Sequence, residues 1–93
     1  MKIITALFLT LSLTFISKAQ TTFQFAIIGD YGKAGTNELN VSNLVKSWNP
    51  EFIITLGDNN YELGEQSTID TNIGKYYSQF IFPYTGSYGT GDT

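Results

Sequence analysis

Two ten-residue segments of this chain, FQFAIIGDYG at 23–32 and FIITLGDNNY at 52–61, give the clearest indication of its fold. Each opens with a nearly continuous run of apolar, β-prone residues and then passes directly into Gly-Asp. Continuous apolar runs of this length indicate strands that are buried on both faces of a sheet. We therefore expect two central strands, at 23–28 and 52–56, each followed closely by an aspartate, Asp30 and Asp58.

The residues between the two strands predict an amphipathic helix. Its expected buried face follows the i, i+3, i+4, i+7 spacing of Val41, Leu44, Val45 and Trp48. Thr36 or Asn37 is suited to cap the N-terminus. Asn49-Pro50 should end the helix, because the residue before a proline is pushed out of the helical region. Strand, helix and strand in this order form a βαβ unit with parallel strands.

A second helix is predicted over residues 68–80, because its apolar residues keep helical spacing. They are Ile69, Ile73, Tyr76, Tyr77 and Phe80. From Pro83 onward the chain reads as a loop rich in glycine, serine and tyrosine. One βαβ unit and one helix cannot cover both faces of a parallel sheet. We therefore expect an α/β fold of which residues 20–93 form only the N-terminal, incomplete part.

The N-terminus has the pattern of a signal peptide spanning residues 1–19. Lys2 provides a short positive region, 3–16 is an apolar run, and Ser17-Lys18-Ala19 places small residues where signal peptidase cleaves. A buried helix or a short membrane anchor is the alternative. The run is shorter than the roughly 20 residues that span a bilayer as a helix. We expect a secreted or periplasmic protein without a stable membrane anchor.

Composition restricts the partners and the metal ligands. The 93 residues include no cysteine and no histidine, so disulfides and the commonest metal ligand are excluded. Without the signal peptide, three lysines face eight acidic residues, and there is no arginine. A chain this acidic lacks the basic surface that nucleic acids require. The pattern leaves the oligomeric state unknown.

Asp30 and Asp58 are the candidate functional residues. Ligands of open α/β sheets bind beyond the carboxyl ends of the strands, where parallel pairing should bring both aspartates to one edge. Carboxylates are hard ligands that suit hard metal ions. The alternative is that each aspartate only caps a turn or a helix. Gly29, Gly32 and Gly35 form GxxGxxG rather than the GxGxxG of dinucleotide sites, which disfavours a nucleotide cofactor.

The blocks GDYG at 29–32 and GDNNY at 57–61 resemble the GDxG and GDxxY blocks of calcineurin-like metallophosphoesterases, in the purple acid phosphatase branch. The resemblance implies an α/β/β/α sandwich, of which this chain supplies the first βαβ unit. It implies hydrolysis of phosphate monoesters at a dinuclear metal centre, with Fe(III) beside Fe(II), Zn or Mn. In that pattern Asp30 binds one metal, Asp58 bridges both, and Tyr61 binds the first metal as a phenolate.

The third block of that family, GNH, and its later histidine blocks do not occur in the 93 residues. We therefore expect a fragment of a longer gene product that is inactive by itself and has no catalytic residue beyond the metal ligands. A packing role for Tyr61 is the alternative to the ligand role. For the whole protein, the alternatives are a phosphodiesterase or nucleotide-cleaving relative, and a non-catalytic secreted acidic binding domain.

The signal peptide makes the first testable prediction. The exported protein should begin at Gln20 or Thr21, as determined by N-terminal sequencing of material from the periplasm or medium. Ala19→Arg should leave the precursor uncleaved, because signal peptidase requires small residues at the two positions it reads. Lys18→Gln, at the unread position between them, is the control and should be processed normally. An exported protein that still carries Met1 would contradict the prediction.

Overall fold

The computed structural model describes residues 17–93. The signal-peptide prediction rests mainly on residues 1–16, which lie outside the described residues. Residues 17–24 are exposed and form neither helix nor strand. Within 17–93, no helix combines the length and apolar character needed to cross a bilayer.

A parallel pair of strands joined by a helix forms the centre of the structure. Strand β1 (Phe25–Ile28) pairs with β2 (Phe52–Thr55), and helix α1 (Thr36–Ser47) connects them. In this register Phe25 lies opposite Phe52, and their rings stack with centroids 5.2 Å apart. The predicted βαβ unit is therefore confirmed, with strands one or two residues shorter than expected.

The sequence predicted the C-terminal end of α1 correctly but not its N-terminal cap. The predicted stop is confirmed, because Asn49 takes the left-handed conformation (φ 52°) and donates its amide to the Lys46 carbonyl at 2.9 Å. The predicted N-terminal cap is wrong. Gly35 precedes the helix and no side chain of Thr36 or Asn37 caps it. The Gly35 amide instead donates to the Tyr76 hydroxyl at 2.9 Å, so a distant side chain satisfies this end of the loop.

The sheet is covered on one face only. Side chains alternate along β1, with Ala26 and Ile28 buried in the core. The opposite face is exposed and carries Phe25, Ile27, Phe52 and Ile54. The expectation of strands buried on both faces is therefore wrong for residues 17–93. Within these residues the helices cover one side of the sheet, and no second layer covers the other.

Helix α1 buries a different face from the predicted one. The buried residues are Glu38, Ser42 and Val45, whereas the other members of the predicted stripe (Val41, Leu44 and Trp48) are about half exposed. These three line an open cleft of about 660 Å³ beside β1. Burial raises the pKa of the Glu38 carboxyl, which lies near the Tyr77 hydroxyl. Periodicity identified the helix, but tertiary packing decided which of its faces is buried.

The chain after β2 forms a second helical segment over residues 66–80, close to the predicted 68–80. It consists of α2 (Gln66–Ile69), a π-helical turn (Asp70–Gly74), α3 (Lys75–Tyr77) and a 3₁₀ turn (Ser78–Phe80). The core of buried residues comprises Ala26, Ile28, Tyr31, Val45, Tyr76 and Tyr77. In this core the Tyr31 and Tyr77 rings meet edge to face at 5.4 Å.

Gly32 is the point where the two loops beyond the strands cross. The Tyr61 amide donates to the Gly32 carbonyl at 2.8 Å. A Cβ at position 32 would overlap the carbonyl group of Asn59 and lie 2.7 Å from the amide nitrogen of Asn60. Backbone atoms cannot swing aside as a flexible side chain can. The close approach therefore requires glycine at this position.

Gly32→Ala should destabilise the full-length protein by about 1–3 kcal/mol or more, because the added methyl group forces the two loops apart. Gly29→Ala is the matched control, since a Cβ at 29 would meet the Leu56 Cβ at 3.3 Å and the Gly57 carbonyl oxygen at 4.0 Å, without the overlap found at position 32. It should change the free energy of unfolding by less than about 1 kcal/mol. Denaturant unfolding of both variants measures the difference, and equal stabilities would refute the crossing as a constraint.

The C-terminal loop, residues 81–93, is tied to the helical segment through Asp70. The Tyr84 hydroxyl donates to the Asp70 carboxylate at 2.5 Å and the Ser87 amide donates to it at 2.9 Å. These hydrogen bonds, that of Tyr84 foremost, hold the pKa of the Asp70 carboxyl below its usual value. The predicted loop is therefore present and is held by hydrogen bonds to a charged carboxylate.

The stability contributed by Asp70 should depend on pH. Because its pKa is lowered in the folded state, the contribution is complete above the ordinary carboxyl pKa of about 3.9 and is lost as the pH falls through the lowered value. Tyr84→Phe removes the main hydrogen bond, so its stability deficit should shrink as the pH falls. Unfolding measured across acidic pH tests this. Tyr88→Phe is the control, because Tyr88 joins the hydrogen bonds around Asp70 only through its backbone amide. If the stability lost in Tyr84→Phe does not change with pH, the hydrogen bond from Tyr84 does not lower the pKa of Asp70.

Candidate metal centre

The structure brings Asp30 and Asp58 to the same edge of the sheet. Asp30 lies two residues after β1 and Asp58 three residues after β2. The Asp30 amide donates to the Gly57 carbonyl at 3.2 Å, which extends the parallel pairing by one step beyond the strands. The register therefore places Asp30 beside the Gly-Asp pair of the second loop. Both aspartates are exposed to solvent, where an ion can reach them.

Both aspartates also have the same unusual backbone conformation. Asp30 has φ 54° and Asp58 has φ 52°, in the left-handed region that non-glycine residues rarely occupy. Aspartate tolerates this region better than most residues, at a cost of the order of 1–3 kcal/mol each. Such residues cluster at functional sites, where the surrounding structure holds them in place. The repetition at both strand ends indicates two similar turns that set two carboxylates at one edge.

Tyr61 completes the cluster. Its hydroxyl donates to the Oδ1 atom of Asp30, and the backbone contact with Gly32 places the ring in this position. The hydrogen bond to Asp30, followed by burial and by the negative charges of Asp30 and Asp58, raises the pKa of the Tyr61 phenol. All three candidate ligands predicted from the sequence are thus neighbours. They present carboxylate and phenol oxygens to one another.

No basic side chain of residues 17–93 forms an ion pair with this acidic cluster. Within the described part of the chain, the one ion pair joins Lys33 to Glu62, with 2.7 Å between Nζ and Oε1. Both partners are largely exposed, and their hydrogen bond raises the pKa of Lys33 and lowers that of Glu62. Lys33 therefore pairs with Glu62 rather than with Asp30 or Asp58. Two carboxylates and a phenol gathered without a cation fit a hard metal ion, which would also favour the phenolate.

The donor set is small. Among residues 17–93, no three side chains of the His, Cys, Asp and Glu types come together as a metal-binding group. The cluster consists of two aspartates supplemented by one tyrosine. Three such donors can hold part of the coordination sphere of one ion. A pair of ions would need further ligands from outside these residues.

The neighbouring residues to which the sequence assigned no metal role have structural roles. The Asn60 side chain donates to the Glu65 carbonyl at 2.8 Å and accepts from the Thr68 hydroxyl at 3.0 Å. Tyr31 is buried in the core, and Asn59 contributes its carbonyl to the crossing at Gly32. The Asn60 side chain is therefore already engaged in hydrogen bonds within its own loop and with the helical segment.

Sequence reasoning missed Asn72, a buried residue of the helical segment. Its side-chain amide donates to the Tyr61 carbonyl at 2.7 Å and to the Asn60 Oδ1 atom at 2.8 Å. In the sequence, the one indication of its role is that this polar residue lies between the apolar helix positions Ile69 and Ile73. A buried amide on a helix face is polar enough to need partners, but the sequence does not say which ones.

Comparison with known protein families, with curated proteins and with solved structures found no match to this chain. Fold alone does not determine function, and a two-stranded parallel unit occurs in many folds. The geometry of the acidic cluster and the motif resemblance therefore carry the functional argument.

Proposed function

We propose that this protein is a secreted metal-dependent phosphoesterase that hydrolyses phosphate monoesters at a dinuclear centre. In this proposal the βαβ unit is the first part of an α/β/β/α sandwich of the calcineurin-like type. The observation that carries it is the convergence of Asp30, Asp58 and Tyr61 beyond the carboxyl ends of two parallel strands. The uncovered sheet face supports the larger fold, because exposed Phe25, Ile27, Phe52 and Ile54 need a second layer.

Each of the three ligands would have a distinct role. Asp30 and Tyr61, which already contact each other, would bind the same ion, for which Fe(III) is the proposed identity. Asp58 would bridge to a second ion (Fe(II), Zn or Mn), because a carboxylate has two oxygens to share. A high positive charge is needed to remove the proton from a phenol whose ordinary pKa is about 10.

The residues of this chain would hold and orient the centre rather than transfer protons. When bound, the metal pair supplies Lewis-acid polarisation of the phosphoryl oxygen and activation of a water nucleophile. Asp30 and Asp58 supply negative charge at the strand ends, and the solvent-exposed edge admits a phosphate ester. The Lys33–Glu62 ion pair lies in the same two loops as the proposed ligands, and in the described part of the chain it engages Lys33 away from their acidic cluster.

Tyr61→Phe tests the ligand assignment in the full-length protein loaded with iron. A tyrosinate bound to Fe(III) absorbs visible light by charge transfer, so the variant should lose its colour while still retaining iron by metal analysis. Asp58→Asn should instead lose a metal ion and lower turnover of an aryl phosphate by at least about 100-fold, since the bridging charge is gone. Tyr31→Phe is the control. Because Tyr31 is buried in the core, this substitution should leave both the visible colour and the turnover unchanged.

A wild-type visible band in an iron-containing Tyr61→Phe protein would contradict the phenolate assignment. Turnover of an aryl phosphate diester in preference to the monoester would favour the phosphodiesterase alternative. A wild-type protein that binds iron but hydrolyses neither substrate would refute the enzymatic proposal in favour of a binding domain.

A further inference from the structure

The side chain of Asn72 joins the two loops that carry the proposed ligands. It is only 7% exposed and lies in the π-helical turn Asp70–Gly74. Its Oδ1 atom accepts from the Ala34 amide at 3.0 Å, in the loop after β1. Its Nδ2 atom donates to the Tyr61 carbonyl at 2.7 Å and to Asn60 Oδ1 at 2.8 Å, in the loop after β2. One buried amide thereby connects three segments of chain.

The bonds made by Asn72 should be stronger constraints than the surface contacts between the same loops. Lys33 and Glu62 also link the two loops, but exposed ion pairs contribute little to stability. Buried hydrogen bonds are costly to break, because the groups left behind lose their partners in a poorly solvated place. The hydrogen bonds of Asn72 are therefore better able than the Lys33–Glu62 ion pair to fix the spacing of the two loops.

Tyr76 lies four residues after Asn72 in the same helical segment and provides a comparison. Its hydroxyl accepts from the Gly35 amide at 2.9 Å, one residue after the amide that Asn72 binds. Both side chains therefore hold the loop after β1. Of these two side chains, only that of Asn72 also bonds the backbone of Tyr61. This difference separates a general packing role from a role at the metal centre.

We infer that Asn72 is a positioning residue that holds the Tyr61 backbone so that the phenol and Asp30 converge on the same metal ion. The inference rests on the proposed function, because it takes Tyr61 and Asp30 as ligands. The π-helical turn at Asn72 supports it, since such turns occur frequently beside functional sites. Asn72 acts through Tyr61 and contacts neither metal nor substrate.

Asn72→Asp in the full-length protein is the sharpest test. The carboxylate keeps an acceptor for the Ala34 amide, but it replaces both donated hydrogen bonds with an oxygen facing the oxygens of Tyr61 and Asn60. Fe(III) affinity should fall about 10–100-fold, as for other residues that orient metal ligands. The visible tyrosinate band should weaken or shift in the protein that still carries iron. Equilibrium metal titration and absorption spectra measure the two effects.

Tyr76→Phe is the matched control. It removes the hydroxyl that holds Gly35 and leaves the link from Asn72 to Tyr61 in place, so it should lower the thermal midpoint while keeping iron affinity and the visible band. If Asn72→Asp fails to fold, Asn72→Ser removes the same donors without adding charge and should show the same changes. Comparing the iron affinity of the Asn72 variants with that of a Tyr76→Phe protein of similar thermal midpoint separates loss of positioning from general destabilisation.

Three outcomes would overturn the inference. The first is a folded Asn72→Asp or Asn72→Ser protein with wild-type affinity and band. The second is a Tyr76→Phe protein that loses affinity and band to the same extent, which would make the effect merely structural. The third is a wild-type protein that binds no iron, which refutes the proposed function as well. In the first two cases wild-type iron binding survives, so the proposed function stands while the inference fails.

Discussion

The arrangement of the site depends on the close crossing of two loops at Gly32. Because this residue has no side chain, the backbone of Asn59 and Asn60 can pass directly against it. The crossing allows the Tyr61 amide to bond the Gly32 carbonyl and brings the phenol to Asp30. Any larger residue at position 32 would separate the loops, and with them the two ends of the acidic cluster. Gly32, the second glycine of the GDYG block, is therefore required because the neighbouring loop occupies the space that a side chain would fill.

The acidic cluster concentrates unfavourable features that the rest of the structure must offset. Asp30 and Asp58 both have left-handed backbone conformations, and no basic side chain of the described residues neutralises them. Proteins retain such local conflicts mainly where function requires them. A bound cation would oppose the effect of the Asp30 hydrogen bond and of the two negative charges, which together raise the pKa of the Tyr61 phenol. Electrostatics and backbone strain therefore give the same reason to expect a ligand at this edge.

The side-chain amides of two asparagines connect the loops of the candidate site to the helical segment. Asn60 and Asn72 form a small network that reaches Ala34, Tyr61 and Thr68. Functional residues are commonly placed on loops that a rigid scaffold supports. Here the scaffold is small, with a two-stranded sheet covered on one face, so specific hydrogen bonds replace part of the support that a large core would give. The helical segment serves the site chiefly through the residues it presents to the two loops.

The amino-acid sequence was enough to predict the local structure: the order of the elements, the stop of the first helix at Asn49-Pro50, and the position of both aspartates at strand ends. These depend on residues that are close along the chain, and apolar periodicity and turn chemistry record such relations directly. Which face of α1 is buried was not encoded locally, because it depends on the segments that pack against the helix. The tertiary structure also decided the role of Asn72, whose partner Ala34 lies 38 residues away. A contact over that distance is set by how the segments pack, which no local pattern encodes.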